Sequence, residues 1–243
     1  MYCHIKNYEI RYTDVDFEDN LKLSSLLGIM EESACLSAEE LGFGYSVLQP
    51  KNYGFIIVNW YIDLGRPIRL GDVVTIKTWP IKPKKLIVFR DFEIYVGEDK
   101  VGVATSRWCL VDLNSFTVLP ASKACDENII YNEFRSVENV NMQISDITLD
   151  KACYEKVITY SDCDHYYHAN NTKYGDLLLD AFGLEELSGK WISSVKITYT
   201  KQCKCGEKLI IGKSMQTDGS WIITGTVGDE MRVSMQVWLN DRA

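Results

Sequence analysis

Tyr12-Thr13-Asp14-Val15-Asp16 near the start of the chain and Tyr160-Ser161-Asp162-Cys163-Asp164 in its second half share one pattern, 148 positions apart. Each follows a short β-prone stretch, Tyr8 to Tyr12 and Val157 to Tyr160. Each leads, without a gap in the alignment, into apolar residues at helical spacing. In the first copy these are Leu23, Leu26, Leu27, Met30, Ala34, Ala38 and Leu41, with Gly42 as a stop. In the second they are Tyr174, Leu177, Leu178 and Ala181, with Gly183 following. Four strand-like stretches come next in each copy, rich in Val, Ile, Thr, Trp and Tyr and separated by Gly, Pro and Asp. They run over residues 55–64, 72–79, 86–96 and 101–112, and then 191–200, 207–215, 220–227 and 231–240. Gly71-Asp72 and Gly206-Glu207 introduce corresponding strands. The chain therefore reads as one unit written twice.

A helix with apolar residues over much of its circumference, followed by an antiparallel sheet, is most simply a sheet wrapped round that helix. This is the hot-dog arrangement. One such unit leaves a sheet edge unpaired, and two copies in one chain cover that edge internally. The expected class is α+β, a tandem (double) hot-dog fold in which each repeat is a long helix wrapped by sheet, a pseudo-dimer in one chain. Residues 1–120 form the N-terminal repeat, 121–150 a polar connector containing Asp126-Glu127-Asn128, and 151–243 the C-terminal repeat.

Composition narrows the function. With 243 residues, 46% hydrophobic and 25% charged, the chain suits an ordinary soluble globular protein. Its net charge of −8 argues against nucleic acid, whose phosphates reward positive charge. No apolar run approaches the roughly 20 residues of a membrane span, and the start lacks a secretory signal. Eight cysteines are too sparse for a disulfide scaffold at this length, so reduced thiols in a cytoplasmic protein are expected.

The segment from Tyr160 to Tyr174 carries the chemistry. It holds two of the chain's three histidines, His165 and His168, with Asp162, Asp164, Asn170 and Asn171, at the mouth of a helix. Free N–H groups at a helix start stabilise an oxyanion. A carboxylate four residues before a histidine offers a nucleophile or base with an acid partner. The same residue types are also ordinary caps and turn formers. Asymmetry between the copies favours chemistry: opposite His168, Asn170 and Asn171 stand Asn20, Lys22 and Leu23.

Ser161-Asp-Cys-Asp164 followed by His168-Ala-Asn-Asn-Thr-Lys-Tyr174 resembles the active-site segment of plant and bacterial acyl-ACP thioesterases. Arg90-Asp91-Phe92, Ala104-Thr-Ser-Arg-Trp108 and Gly71-Asp72 with Thr78-Trp79 resemble further strands of that family. The resemblance spans nearly the full length. It implies hydrolysis of the thioester of fatty acyl-ACP, releasing free fatty acid in fatty acid biosynthesis, with Asp164 and His168 catalytic. The family's asparagine falls on Tyr166 and its glutamate-cysteine pair on Gln202-Cys203, so two positions of the catalytic set depart. Glutamine can place a water but cannot take its proton. Glu207 stands close by in sequence, although its counterpart Asp72 suggests a structural role. Asp164 would attack the carbonyl or activate water, His168 would handle the proton, N–H groups near Asn170 and Asn171 would polarise the carbonyl, and Gln202 would help place water. A nucleophilic Cys203 paired with His168 is a further option, against the commoner role of strand cysteine as a small hydrophobe.

Tyr167-His168-Ala169-Asn170 also resembles small acyl-CoA thioesterases related to 4-hydroxybenzoyl-CoA thioesterase. The changes at Tyr166 and Gln202 permit a non-hydrolytic acyl-ACP or lipid-binding protein. Cys163, His165, His168, Cys203 and Cys205 have loose spacings unlike those of a structural zinc site, and no metal or cofactor is expected. The expected partner is acyl carrier protein bearing a fatty acyl phosphopantetheine thioester, bound to a monomeric pseudo-dimer or a homodimer. Two acid-free basic runs are its candidate docking sites: Lys77, Lys82, Lys84, Lys85 and Arg90, and Lys190, Lys196, Lys201 and Lys204. The acyl tail is expected in a pocket of the N-terminal repeat, along Leu27, Met30 and residues near Trp60, each of which reads equally as packed core.

Overall fold

The period-2 strands and the long helix of the first repeat form where their patterns place them in the computed structural model, which describes residues 1–125, 129–144 and 152–242. Asp126-Glu127-Asn128 and residues 145–150 of the expected connector lie outside the described residues. The first repeat runs β1 (His4–Glu9), α1 (Leu23–Glu40), α2 (Tyr45–Leu48), β2 (Tyr53–Leu64), β3 (Val73–Lys84), β4 (Ile87–Val96) and β5 (Asp99–Asp112). The short β6 (Val118–Leu119) pairs with β5. The second runs β7 (Ala152–Val157), α3 (Tyr174–Leu179), α4 (Leu184–Leu187), β8 (Lys190–Tyr199), β9 (Lys208–Met215), β10 (Trp221–Val227) and β11 (Glu230–Asp241).

All strands join one antiparallel sheet in the order β1-β3-β4-β5-β2-β8-β11-β10-β9-β7. The order is a palindrome of equivalent strands about the β2·β8 junction, where Trp60 faces Ile197 and Ile62 faces Val195. Each repeat thus pairs its open edge with its copy, as the double hot-dog reading requires.

Alternate strand residues turn inward: Trp60 and Ile62, Val74 and Ile76, Phe92 and Ile94, Leu209 and Ile211, Met235 and Val237 are all buried. They close over α1, which buries Leu23, Leu26, Leu27, Met30, Ala34 and Ala38 along one face. Each such large side chain contributes about 1.5–3 kcal/mol. Small residues let the sheet approach, and the buried hydroxyls among them are satisfied. Ser33 donates to Ile29 O, and Ser37 accepts from the Arg90 guanidinium at 2.8 Å. The helix ends as its sequence predicts. Gly42 takes a φ of +77°, its N–H donates to Glu39 O and that of Phe43 to Ala38 O.

Three expectations change. Among the described residues the second repeat has no long helix: α3 is six residues and ends at Leu179. Gly183 sits at a φ of −71° and opens α4, its N–H donating to Glu186 Oε2 at 2.8 Å, so it is no left-handed stop. Phe182 has by then turned in against Trp221. Leu27, Met30 and Trp60 are almost wholly buried and form core, not the wall of an acyl pocket. Arg90 leaves the basic surface because strand alternation points it at α1.

Alternation also sends the next residue, Asp91, to the outer face. There Arg135 of the connector grips it with two hydrogen bonds, at 2.8 and 3.1 Å, while Ser136 N and Thr105 Oγ1 also donate to it. Trp79 Nε1 donates to Phe134 O, and Asn132 N to Pro80 O. The described part of the connector is therefore strapped across the outside of β3, β4 and β5.

Candidate active site

Each Asp-x-Asp loop folds by local hydrogen bonds that its own sequence supplies. In the second repeat, Asp162 accepts from Thr159 N and Oγ1 and pairs with Lys156 at 3.2 Å, so the first aspartate is structural. Asp164 N donates to His168 O at 2.9 Å, Tyr167 N donates to Asp164 O, and Asp164 Oδ1 accepts from Tyr166 N at 2.8 Å. Tyr167 sits at the left-handed turn with a φ of +64°. Ala169 N donates to Cys203 O, and His168 bridges Lys204, which stitches the loop to the segment before β9. The Asp164 and Gln202 regions are thereby brought side by side.

A cleft of about 430 Å³ opens over this loop, between the repeats. Asp164, Tyr166, His168, Asn170, Asn171 and Gln202 all line it. The first repeat supplies the facing wall through Ile56, Ile57, Trp108, Phe116 and Glu31. His168 Nδ1 is buried and without a hydrogen-bond partner among the described residues. An orphaned buried nitrogen in a cleft marks a place where a ligand completes the bonding. The Phe116 ring meets the imidazole edge-on.

Not every expected residue serves the cleft directly. Asn170 is a helix cap: its Oδ1 accepts from Thr172 N and Thr172 Oγ1, both at 2.8 Å, and its N–H is committed to Asp162 O. Asn171 reaches across the repeats, Nδ2 donating to Glu31 Oε2 at 3.1 Å, while its carbonyl accepts from the Tyr199 hydroxyl. Cys203 is fully buried beneath the loop and does not line the cleft. Burial pushes its thiol up, which is the wrong direction for a thiolate nucleophile. Burial likewise raises the Tyr166 phenol, with charges on Tyr45 and Asp164 adding to it.

The model of the acyl-ACP thioesterase N-terminal domain family matches residues 2–123, and that of the acyl-ACP thioesterase C-terminal domain family matches residues 150–232. The chain belongs to the acyl-ACP thioesterase family. A chloroplastic palmitoyl-acyl carrier protein thioesterase of Gossypium hirsutum is 23% identical over 212 residues, 82% of this chain and 51% of the relative, so the chain spans about half of that protein. Among solved structures, an acyl-ACP thioesterase from Bacteroides thetaiotaomicron superposes with a TM-score of 0.89 at 21% identity, covering 98% of each chain. A 12:0-ACP thioesterase from Umbellularia californica superposes at 0.86 with 16% identity, covering 99% of this chain and 98% of its own. At these identities the superpositions establish the double hot-dog fold.

Against the family pattern, this acyl-ACP thioesterase family member lacks a carboxylate at Gln202, and Glu207 does not replace it. Glu207 Oε2 accepts from Lys204 N and its Oε1 pairs with the buried Arg232 at 3.1 Å. Asp72 closes the equivalent turn by accepting from Arg69 N. The carboxyl group that does face Asp164 is Glu31 of α1. Withdrawal from water pushes it above the usual carboxylate range, the Asn171 hydrogen bond opposes this, and the charge of Asp164 adds to it. Sequence reasoning missed Glu31 because its helix lies in the other repeat. Its one sequence signal is a charge beside the apolar stripe of α1, one residue after Met30.

Proposed function

We propose that this chain hydrolyses the thioester of a fatty acyl chain on acyl carrier protein, releasing free fatty acid and the carrier thiol. The observation that carries the reading is one cleft lined by Asp164, His168, Asn171 and Gln202, with an unpartnered buried nitrogen on His168. The thioester carbonyl lies over the loop, where Asp164 Oδ2 is left for chemistry because Oδ1 holds Tyr166 N. Asp164 attacks the carbonyl carbon or activates the water that does so. The N–H of Asn171, which donates to nothing among the described residues, polarises the carbonyl oxygen. His168 binds the reacting groups through Nδ1, and Gln202 orients water. A thiolate leaves readily, so little assistance is needed at sulfur.

The acyl tail passes between α1 and the sheet beside Phe55 and Trp108. These two residues are shared with a smaller apolar cavity walled by Ala34, Ala38, Phe43 and Val88. Two of the three named relatives carry acyl lengths in their names, and these differ, so neither length transfers.

Lys82, Lys84 and Lys85 crown the β3–β4 hairpin, exposed. Strand register puts that hairpin at the same end of the sheet as the cleft: Ile87 pairs with Cys109, and Cys109 with Ile56. This surface suits a strongly acidic carrier protein. K84E/K85E is expected to raise KM for acyl-ACP several-fold with kcat kept and with weaker salt dependence. An unchanged KM removes the hairpin as a docking site.

Thiol release from one acyl group carried on ACP and on CoA tests the reading. Faster turnover on ACP supports it, faster turnover on CoA favours the acyl-CoA alternative, and tight acyl binding without turnover favours the binding protein. The same assay on Asp164→Asn tests the site, since undiminished turnover would remove Asp164 from the mechanism.

A further inference from the structure

We propose that Glu31 is the general base of the hydrolysis, supplied by the first repeat to the loop of the second in place of the carboxylate missing at Gln202. This inference rests on the thioesterase reading above. Its starting point is the fate of one proton. Whether water attacks the thioester itself or an acyl group first transferred to Asp164, the water oxygen bonds to the acyl carbon and one proton must leave it. Asp164 cannot take that proton while it carries the acyl group, and in the direct route Glu31 takes it in place of Asp164; His168 holds the reacting groups through Nδ1, and Gln202 cannot take a proton at all. Glu207 is tied to Arg232 and Lys204, and Cys203 is sealed beneath the loop.

Glu31 meets the geometric demands. It lines the same cleft as Asp164, His168 and Gln202 but comes from α1 of the other repeat, so one cleft holds both carboxyl groups. Asn171 Nδ2 holds its Oε2 at 3.1 Å, which fixes the side chain while leaving Oε1 for water. The Tyr199 hydroxyl, donating to Asn171 O, holds the other end of that link. No ion pair neutralises Glu31 among the described residues; its ionisable neighbours are the Asp164 carboxylate, the Tyr199 phenol and the Cys35 thiol one turn along α1. His168 and Lys201 also line the cleft, Lys201 being paired with Glu230 at 2.7 Å. Half-burial beside a like charge makes Glu31 a stronger base than a free glutamate, as its raised pKa indicates.

The balanced step follows. Water adds to the acyl carbon and gives one proton to Glu31; the bond from that carbon to sulfur, or to the Asp164 oxygen in the two-step route, breaks. The proton then passes from Glu31 to the carrier thiolate, so acid and thiol leave and the enzyme is restored.

Glu31→Gln tests this with little risk to the fold, because the amide oxygen still accepts from Asn171. The expected result is a fall in kcat of about 100-fold or more, with KM for acyl-ACP within about threefold. In wild type the acid limb of kcat should lie above the ordinary glutamate range, and in the variant it should no longer sit there. Thermal melting checks folding and has its own signature. The folded state holds the Glu31 proton to higher pH than the unfolded chain does. Wild-type stability therefore falls as pH rises from the ordinary glutamate pKa through the raised one. The glutamine variant, free of that loss, should melt at the same temperature or higher at pH 8. A kcat within twofold of wild type overturns the proposal, as does a reduced kcat with the acid limb unmoved. Asp164→Asn inactive beside a fully active Glu31→Gln overturns Glu31 alone, and a wild-type protein without turnover overturns the thioesterase reading and this inference together.

Discussion

The loops at Asp16 and Asp164 have the same backbone and opposite fates. Asp16 N donates to Asn20 O as Asp164 N does to His168 O. Asp16 accepts from Glu18 N as Asp164 does from Tyr166 N, and Asp19 takes the left-handed turn that Tyr167 takes. Even the bridges match, Asn20 to Arg69 and His168 to Lys204. What differs is the fourth position and what lies above it. Asn20 is occupied: its amide donates to Lys190 O, and Arg242 donates to its Oδ1 while also pairing with Glu18 at 2.6 Å. Ser188 and Gly189 close over Glu18 as well. His168 has a bare Nδ1 under an open cleft. The Asp-x-Asp loop is thus a device of the fold, needed twice to join a helix to its sheet. At the fourth position only the second copy leaves a buried polar atom, His168 Nδ1, without a partner among the described residues.

The comparison breaks most visibly at the aspartates. Asp164→Asn should lower kcat by about 100-fold or more with the fold retained. Asp16→Ala should leave kcat within a few-fold and instead lower Tm, because its carboxylate holds two backbone N–H groups. Thiol-release kinetics beside thermal melts separate the two, and equal losses of activity would mean the loops are not divided in this way.

A smaller effect is expected where the helices meet. A Cβ on Gly175 would stand 2.8 Å from Ser24 N and 3.1 Å from Ser24 Cα, so Gly175→Ala must push α3 off α1 and should cost about 1–3 kcal/mol. Gly28, in α1 itself, has nothing within 4 Å of an added Cβ, and Gly28→Ala should stabilise by about 0.5–1 kcal/mol. Denaturant melts of the pair would show whether close approach or helix propensity governs each glycine.

Least is expected at the closed loop. Arg242→Ala frees Asn20 and Glu18 and should cost about 1 kcal/mol with kcat unchanged, since the opened site still lacks a histidine. A changed kcat would couple the closed loop to the open cleft.

The legible part of this protein was its repetition. Asp-x-Asp loops 148 residues apart, followed by α1 periodicity and four alternating strands, were enough for the double hot-dog architecture, because hydrophobic period and turn chemistry are local properties of sequence. The apolar pattern of the second helix runs on to Ala181, but α3 stops at Leu179 because tertiary packing turns Phe182 in against Trp221 of β10. Leu27, Met30 and Trp60 read equally as pocket or core, and only the closure of the sheet over α1 made them core.

Asp164 and His168 stood together in sequence, four residues apart, and one loop was bound to hold both. By itself, then, the sequence determined the repeats, the loop and the absence of a carboxylate at Gln202. The tertiary structure decided which of the remaining acids shares the cleft with Asp164. Glu31 lies 133 residues from Asp164 in the chain, and their meeting depends on how β2 and β8 join the repeats and stand α1 across the second loop. Periodicity along a chain records which face of an element is buried. It does not record what that face is buried against.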